Sequence, residues 1–255
     1  MTPPAGKPES RFVTVDGLRV HVRVWPGPPA GGRPLALIHG LGMSSRYMVR
    51  LGGLLGAGRP VYAPDIPGFG RSETPRRVLD IQGQAELLAA WMRVLGLERA
   101  AFLGHSLGSQ VVADLASRHP RLVERLILAA PTVDDRERSV IREILRLLRD
   151  VPREPFSLVP LVAADYLRAG PARILRTLRY ALADPIEEKL PALGMPALVV
   201  RGGQDPVVSE AWTEKVYRLL PRGRLAVIPA AAHALQFSRP GELAALLTPF
   251  LDEEP

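Results

Sequence analysis

The chain has 255 residues, of which 47% are hydrophobic, and its mean hydropathy is +0.07. This length and composition predict one large domain, or a domain with an insertion, that buries a sizeable core. The absence of cysteine excludes disulfides, thiolate metal sites and cysteine nucleophiles. The net charge is +7, but the arginines are spread along the chain and aromatic residues make up only 5% of it. This pattern favours solvated helix faces over a surface for nucleic acid or for an acidic membrane.

The amino-terminal segment shows no recognisable targeting signal. Met1–Ser10 is rich in proline and polar residues, and we predict a disordered tail there. It lacks the charged region followed by an apolar stretch that is typical of a signal peptide. No apolar run reaches the ~18 residues of a membrane span. We therefore expect a cytoplasmic protein.

Apolar runs and helical periodicities alternate along most of the chain. Arg11–Val15 and Leu18–Trp25 alternate apolar and polar residues around Asp16-Gly17, which predicts an antiparallel hairpin. Buried strands are expected at Leu35–Ile38, Val61–Ala63, Ala100–Leu103, Leu126–Ala129, Ala197–Val200 and Leu225–Ile228. Helices are expected at Ala85–Leu95, Ser109–Arg118, Glu210–Leu219 and Glu242–Leu251. The alternation predicts an α/β fold with a mostly parallel sheet and helices on both faces.

Residues 132–191 interrupt this alternation, because they show helical patterns and no convincing strand. Thr132 is the expected N-cap of a first helix, and a second helix is expected after Pro171. The first helix carries an apolar stripe of Ile141, Ile144, Leu145 and Leu148. We interpret 132–191 as a helical cap inserted into a core formed by 1–131 and 192–255. It would lie over the carboxyl edge of the sheet, where ligands bind in such folds.

The pentapeptide Gly104-His105-Ser106-Leu107-Gly108 fits G-x-S-x-G, the signature of a serine held on a sharp strand-to-helix turn. An apolar run precedes it and helical spacing follows it, as this turn requires. Glycine at both ends relieves the crowding of the turn, because it has no Cβ. The motif predicts that Ser106 projects from the sheet as a nucleophile.

A serine nucleophile needs a base, and the base needs an acid that orients it and stabilises its charged form. Asp205 follows a buried run within a glycine turn, and His233 follows the last predicted strand. We therefore predict a catalytic triad of Ser106, Asp205 and His233. The oxyanion formed on attack needs two fixed N–H donors, and we assign them to the backbone of Leu41 and Leu107.

The other four histidines are expected to have structural or surface roles. His105 is expected to be structural, because adjacent side chains on a strand point to opposite faces. His39 should shape the loop His39-Gly40-Leu41-Gly42. His21 is expected to be exposed on the hairpin, and His119 to lie on the surface at a helix end.

These segments together resemble the α/β-hydrolase superfamily, from Arg11 to Leu251. The matching pieces are His39-Gly40-Leu41-Gly42, Asp65–Ser72, the serine pentapeptide, Gly202-x-x-Asp205 and the late His233. The resemblance implies an esterase- or lipase-like serine hydrolase with a helical cap, a Ser106–Asp205–His233 triad, and no cofactor or metal. The chain departs from the family pattern at Ala232 and Ser109, where relatives often have glycine, and at Ser238, where many have glutamate.

The sequence thus predicts hydrolysis of a carboxylic ester through an acyl-enzyme. We expect an apolar small-molecule substrate, because the cap offers Leu, Val and Ile together with Phe156 and Tyr166. Carbon–carbon bond hydrolysis of meta-cleavage-type dienoates, thioester hydrolysis and acyl transfer are the enzymatic alternatives. A non-enzymatic receptor on the same fold is disfavoured, since all three triad residues are present. The oligomeric state and the direction of the cap arginines stay open.

Overall fold

A computed structural model of the protein describes residues 6–136 and 138–254. Its strands are β1 (Glu9–Val15), β2 (Leu18–Trp25), β3 (Leu35–Ile38), β4 (Val61–Pro64), β5 (Ala100–His105), β6 (Val123–Ala129), β7 (Ala197–Gly202) and β8 (Gly223–Ile228). Within the described ranges these form one eight-stranded sheet, ordered β1-β2-β4-β3-β5-β6-β7-β8. β2 pairs antiparallel with both β1 and β4, and the pairs from β4 to β8 are parallel. The predicted mostly parallel sheet with an amino-terminal hairpin is confirmed.

Helices lie on both faces of this sheet. They are α1 (Val49–Leu55), α2 (Ile81–Val94), α3 (Leu107–Arg118), α4 (Val140–Asp150), α5 (Val159–Ala169), α6 (Pro171–Ala183), α7 (Ile186–Lys189), α8 (Glu210–Leu219), α9 (Leu235–Ser238) and α10 (Pro240–Asp252). α2 packs against α3, and α1 packs against α10. Within the described part of the chain, no helix has both the length and the apolar run needed to cross a bilayer.

Local chemistry explains where these elements begin and turn. Asp16 and Gly17 both have positive φ values, 47° and 77°, as a two-residue hairpin turn requires. Asp80 caps α2 by accepting from the N–H of Gly83, and Ser209 caps α8 by accepting from Trp212. The four residues of β3 are all buried, as expected for a central parallel strand covered on both faces.

Two expectations for the amino-terminal region are wrong. Glu9 and Ser10 belong to β1 rather than to a tail; residues 1–5 of the predicted tail lie outside the described residues. His21 is fully buried rather than exposed. Its ring nitrogens lie 2.8 Å from Ser10 Oγ and 2.8 Å from Asp65 Oδ2. Burial is tolerated because both nitrogens have partners.

The chain between β6 and β7 (residues 132–191, the helical segment) contains helices and no strand among its described residues. α6 begins at Pro171, as expected. Thr132 caps no helix, because α4 begins only after Ser139. α5, with Pro160 near its start, is not among the helices expected from the sequence. That proline stands in the first turn, where its missing N–H costs no helical hydrogen bond.

Candidate active site

The backbone of Ser106 is strained at the junction between β5 and α3. Its φ of 55° and ψ of −122° are unusual for a residue with a side chain. A Cβ on Gly104 would collide with the carbonyl of Gly108, and a Cβ on Gly108 would lie 2.5 Å from the carbonyl oxygen of Ile38. The surrounding backbone therefore forces the turn and leaves room only for glycine at both flanks. This is the strand-to-helix turn that the pentapeptide predicts.

Asp205 and His233 meet above the ends of β7 and β8. The Oδ2 atom of Asp205 lies 2.9 Å from Nδ1 of His233, and both side chains are buried. The other carboxylate oxygen, Oδ1, accepts the N–H groups of Val207 at 2.7 Å and Val208 at 3.1 Å. These bonds fix the carboxylate, which in turn fixes the ring of His233 with Nδ1 toward Asp205.

Each residue of this pair shifts the pKa of the other. Burial alone would lower the pKa of His233, but the nearby carboxylates, Asp205 foremost, raise it to about 9. Burial would raise the pKa of Asp205, but the charge and hydrogen bond of His233 hold it below its ordinary value. The pair therefore favours a charged imidazole, the form that a general base adopts after accepting a proton.

His105, the last residue of β5, connects this strand to the loop that carries His233. Burial, assisted by the charge of His233, lowers the pKa of His105 to about 3, so the ring is neutral. Its Nε2 lies 2.9 Å from the carbonyl oxygen of His233 and donates to it. Its Nδ1 then accepts from the hydroxyl of Tyr47 at 2.8 Å, and that hydroxyl accepts from the N–H of Gly40 at 2.6 Å. One chain of hydrogen bonds thus joins the segment after β3, the end of β5 and the loop that carries His233.

His105 directly precedes Ser106 and packs against His233. The rings of His105 and His233 have centroids 4.9 Å apart. Within residues 6–136 and 138–254, the Ser106 hydroxyl makes no hydrogen bond, to His233 or to any other residue. Hydrogen bonds of this kind are often long in free enzymes and tighten when substrate is present.

The backbone groups of Leu41 and Leu107 lie on adjoining loops. Leu107 opens α3, whose first turn packs against the carbonyls of Ile38 and His39. A Cβ on Gly40, next to Leu41, would lie 3.2 Å from Cβ of Ser106. Among the described residues, the N–H groups of Leu41 and Leu107 donate to no protein acceptor. Two backbone N–H groups without an acceptor in the described chain therefore lie on the segments next to Ser106.

Comparisons with known proteins identify the family of this chain. A family model described as "Alpha/beta hydrolase family" matches residues 35–246. The chain belongs to the alpha/beta hydrolase family. A structure titled as a membrane phospholipase A has a TM-score of 0.85 and 26% identity, covering 96% of this chain and 86% of that one.

Among curated relatives of this alpha/beta hydrolase, the pimeloyl-[acyl-carrier protein] methyl ester esterase of Edwardsiella ictaluri is 29% identical, covering 89% of this chain and 96% of that protein. An uncharacterized protein of Mycobacterium tuberculosis is 36% identical over 123 residues, which are 48% of this chain and 35% of that protein. The chain thus spans about a third of the length of that relative.

The helical segment adds carboxylates that sequence reasoning missed. Asp150 accepts the backbone N–H of His233 at 3.2 Å, and Glu154 accepts that of Ala234 at 2.6 Å. Burial raises the pKa of Asp150, and it raises the pKa of Glu154 to about 7. The only sequence signal is their position at the end of the predicted first helix, which does not reveal their direction.

Other side chains of the helical segment reach the loops beyond the serine. The ring of Tyr166 lies against Gly42, where a Cβ would be 2.5 Å from Cε2. Arg173 lies equally close to Gly68, and its Nη1 is buried without a hydrogen-bond partner among the described residues. Phe156, which the sequence offers as an apolar residue of the cap, is 94% exposed.

The remaining predicted roles concern support rather than chemistry. His39 ties two loops together, because its Nε2 accepts the N–H of Ile66 at 3.0 Å and its Nδ1 lies 2.9 Å from the carbonyl of Gly40. His119 ends α3 and contacts Glu86 at 3.0 Å. The described residues contain no group of three or more His, Asp or Glu side chains arranged to hold a metal ion.

Proposed function

We propose that this protein is a serine hydrolase that cleaves carboxylic esters through an acyl-enzyme. Ser106 is the nucleophile, His233 the base and Asp205 the acid that orients it, while Leu41 and Leu107 hold the oxyanion. Helical segment 132–191 serves as the cap. The observation that carries the proposal is the buried Asp205–His233 pair beside the strained turn of Ser106.

The reaction follows from these positions. Nε2 of His233 takes the proton of Ser106 as Oγ attacks the ester carbonyl, and the N–H groups of Leu41 and Leu107 stabilise the oxyanion. Collapse of the tetrahedral intermediate breaks the ester C–O bond, and His233 protonates the departing alcohol. Water, deprotonated by the same ring, then attacks the acyl-enzyme, and release of the acid restores Ser106.

The comparisons support an ester over a thioester or a carbon–carbon bond. A relative that aligns over 96% of its own length is named a methyl ester esterase, and the structural neighbour at 26% identity is titled a phospholipase A. The serine at position 106 also argues against aspartate-dependent epoxide or halide chemistry.

The surroundings of Arg173 favour a more specific class of ester substrate. A buried guanidinium nitrogen without a partner is costly, so an anionic group of the substrate is a fitting acceptor. Gly68, which Arg173 contacts, belongs to the loop after β4, and that loop joins the Leu41 loop through His39. We propose an ester whose apolar part lies near Tyr166 and whose far end carries a carboxylate.

A panel of chromogenic esters with different acyl lengths tests the reaction, with a ring-fission dienoate and a thioester as competitors. We expect hydrolysis of at least one ester, and a loss of kcat by roughly 10⁴-fold or more in Ser106→Ala. The control is Ser117→Ala, which removes an exposed hydroxyl from α3, the helix that follows Ser106. Fluorophosphonate should label the parent protein and Ser117→Ala but not Ser106→Ala. Hydrolysis that survives in Ser106→Ala contradicts the proposal.

The role of Arg173 is tested by the ratio of kcat/KM for a carboxylate-bearing ester to that for a neutral ester of equal length. Arg173→Met should lower this ratio by about tenfold, the loss of one charge-assisted hydrogen bond. Arg176→Met changes an exposed arginine on the same helix and should leave it unchanged. An unchanged ratio in Arg173→Met rejects the carboxylate preference while leaving ester hydrolysis intact.

A further inference from the structure

The helical segment carries an unusual concentration of exposed apolar side chains. Of the ten large apolar side chains that are exposed in the described chain, seven lie between residues 141 and 159. We call these seven the outer patch: Ile141, Ile144, Leu145, Leu148, Val151, Phe156 and Val159. Leu148 is 61% exposed and Phe156 is 94% exposed. Clustered exposure of this kind marks a surface that meets another apolar phase or partner.

Acidic and basic side chains of residues 141–159 lie on different sides of this stretch. Its carboxylates face the protein, since Glu143 and Asp150 are buried and Glu154 bonds to the N–H of Ala234. Arg149 and Arg153 are exposed on the outside. The outer surface of this stretch therefore presents apolar and cationic groups together, while the anionic groups are turned inward.

The inward contacts fix this orientation. Asp150 and Glu154 accept backbone N–H groups of the loop that carries His233, so rolling α4 to bury its apolar stripe would break both bonds. It would also leave those N–H groups without partners, which costs free energy. The exposure of the apolar stripe is thus enforced by specific polar contacts on the opposite side.

We propose that the outer patch docks on the surface of an anionic phospholipid bilayer. A helix with one apolar face and flanking arginines lies in the interface, with its apolar side chains among the acyl chains and its cations at the headgroups. Arginines near a negatively charged leaflet add attraction that falls off within a Debye length. The net charge of +7 acts in the same direction.

A second copy of the chain is a less suitable occupant. In a two-fold dimer the same surface meets itself, so Arg149 and Arg153 would approach their own counterparts. The carboxylates that could neutralise them are turned inward in each copy. Lipid phosphates supply the missing negative charge without this repulsion.

Sedimentation with vesicles tests the proposal on the full chain, independently of catalysis. We expect the protein to bind vesicles of phosphatidylcholine with added phosphatidylglycerol, and to bind pure phosphatidylcholine about tenfold or more weakly. Ser106→Ala should bind as the parent does, so binding is judged even where no ester is cleaved. Added salt should weaken binding to the anionic vesicles.

Two pairs of variants locate the surface. Leu145→Ser with Leu148→Ser should lower the partition coefficient by about tenfold or more, because two apolar insertions are lost. Val94→Ser with Val227→Ser changes exposed apolar residues outside the patch and should not lower it. Arg149→Gln with Arg153→Gln should lower binding to anionic vesicles by roughly tenfold. Arg76→Gln with Arg77→Gln, also exposed, serves as its control.

Thermal unfolding of each variant shows that it is folded. The proposal is overturned if the folded parent protein binds neither kind of vesicle, or if both patch variants bind as the parent does. It is also overturned if the parent is a dimer that Leu145→Ser with Leu148→Ser converts to a monomer, since a second copy then covers the patch.

Discussion

The carboxyl edge of the sheet and the helical segment above it use the same residue types in opposite ways. At the sheet edge, Asp205 is buried in contact with His233, and leucines such as Leu128 of β6 fill the core. In α4, Asp150 is also buried, but Leu148 faces solvent. The sheet edge is organised by burial of apolar residues, whereas α4 turns its apolar stripe to solvent and Asp150 toward the backbone of His233.

The largest effect is expected when the buried aspartates of the two regions, Asp205 and Asp150, are each replaced. Asp205→Asn should lower kcat by roughly 10³- to 10⁴-fold, because the amide no longer stabilises the charged ring of His233. Asp150→Asn should lower it by about tenfold or less, since the amide oxygen can still accept the N–H of His233. Steady-state kinetics on the best ester of the panel measures both. Equal losses of kcat in the two variants would mean that Asp150 contributes to catalysis as much as Asp205 does.

A smaller effect is expected from two leucines with opposite exposure. Leu128→Ala should reduce the free energy of unfolding by about 2–5 kcal/mol, because it leaves a cavity in a fully buried strand. Leu148→Ala should change it by less than about 0.5 kcal/mol, as exposed substitutions do. Urea unfolding of both variants gives the comparison. A large loss at Leu148 would show that α4 is packed against apolar neighbours in solution.

The smallest expected effect concerns the influence of the helical segment on the pKa of His233. As the proposed base, His233 would have to be neutral. Because its pKa is raised to about 9, the proposal predicts that kcat/KM rises with pH up to about 9. Asp150→Asn together with Glu154→Gln removes negative charge that favours the imidazolium. The midpoint should therefore move to lower pH, by about one unit.

Its control is Glu210→Gln, an exposed carboxylate in the first turn of α8. That change should leave the midpoint where it is. A midpoint that also stays in place when Asp150 and Glu154 are neutralised would mean that only Asp205 sets the charge of His233.

Much of the sheet edge could be predicted from sequence because local chemistry fixes it. The G-x-S-x-G turn requires glycine at Gly104 and Gly108 for steric reasons that act within a few residues. The predicted strand Leu35–Ile38 agrees with β3, because a continuous apolar run has one favourable place in a parallel sheet. The chain order of Ser106, Asp205 and His233 then places all three after strands that end at one edge.

Long-range contacts decided the rest. His21 is buried because Asp65, which is distant in sequence, pairs with it. Tyr47 carries a hydrogen bond to His105 that no spacing in the sequence reveals.

The fold, the strand-to-helix turn of Ser106 and the existence of an apolar stripe on α4 can be read from the sequence alone. The direction in which that stripe faces depends on tertiary contacts. Periodicity describes a helix relative to its own axis, and the rotation of the helix about that axis depends on partners elsewhere in the chain. Here those partners are the backbone N–H groups of His233 and Ala234, which hold the acidic side inward and leave the leucines outside.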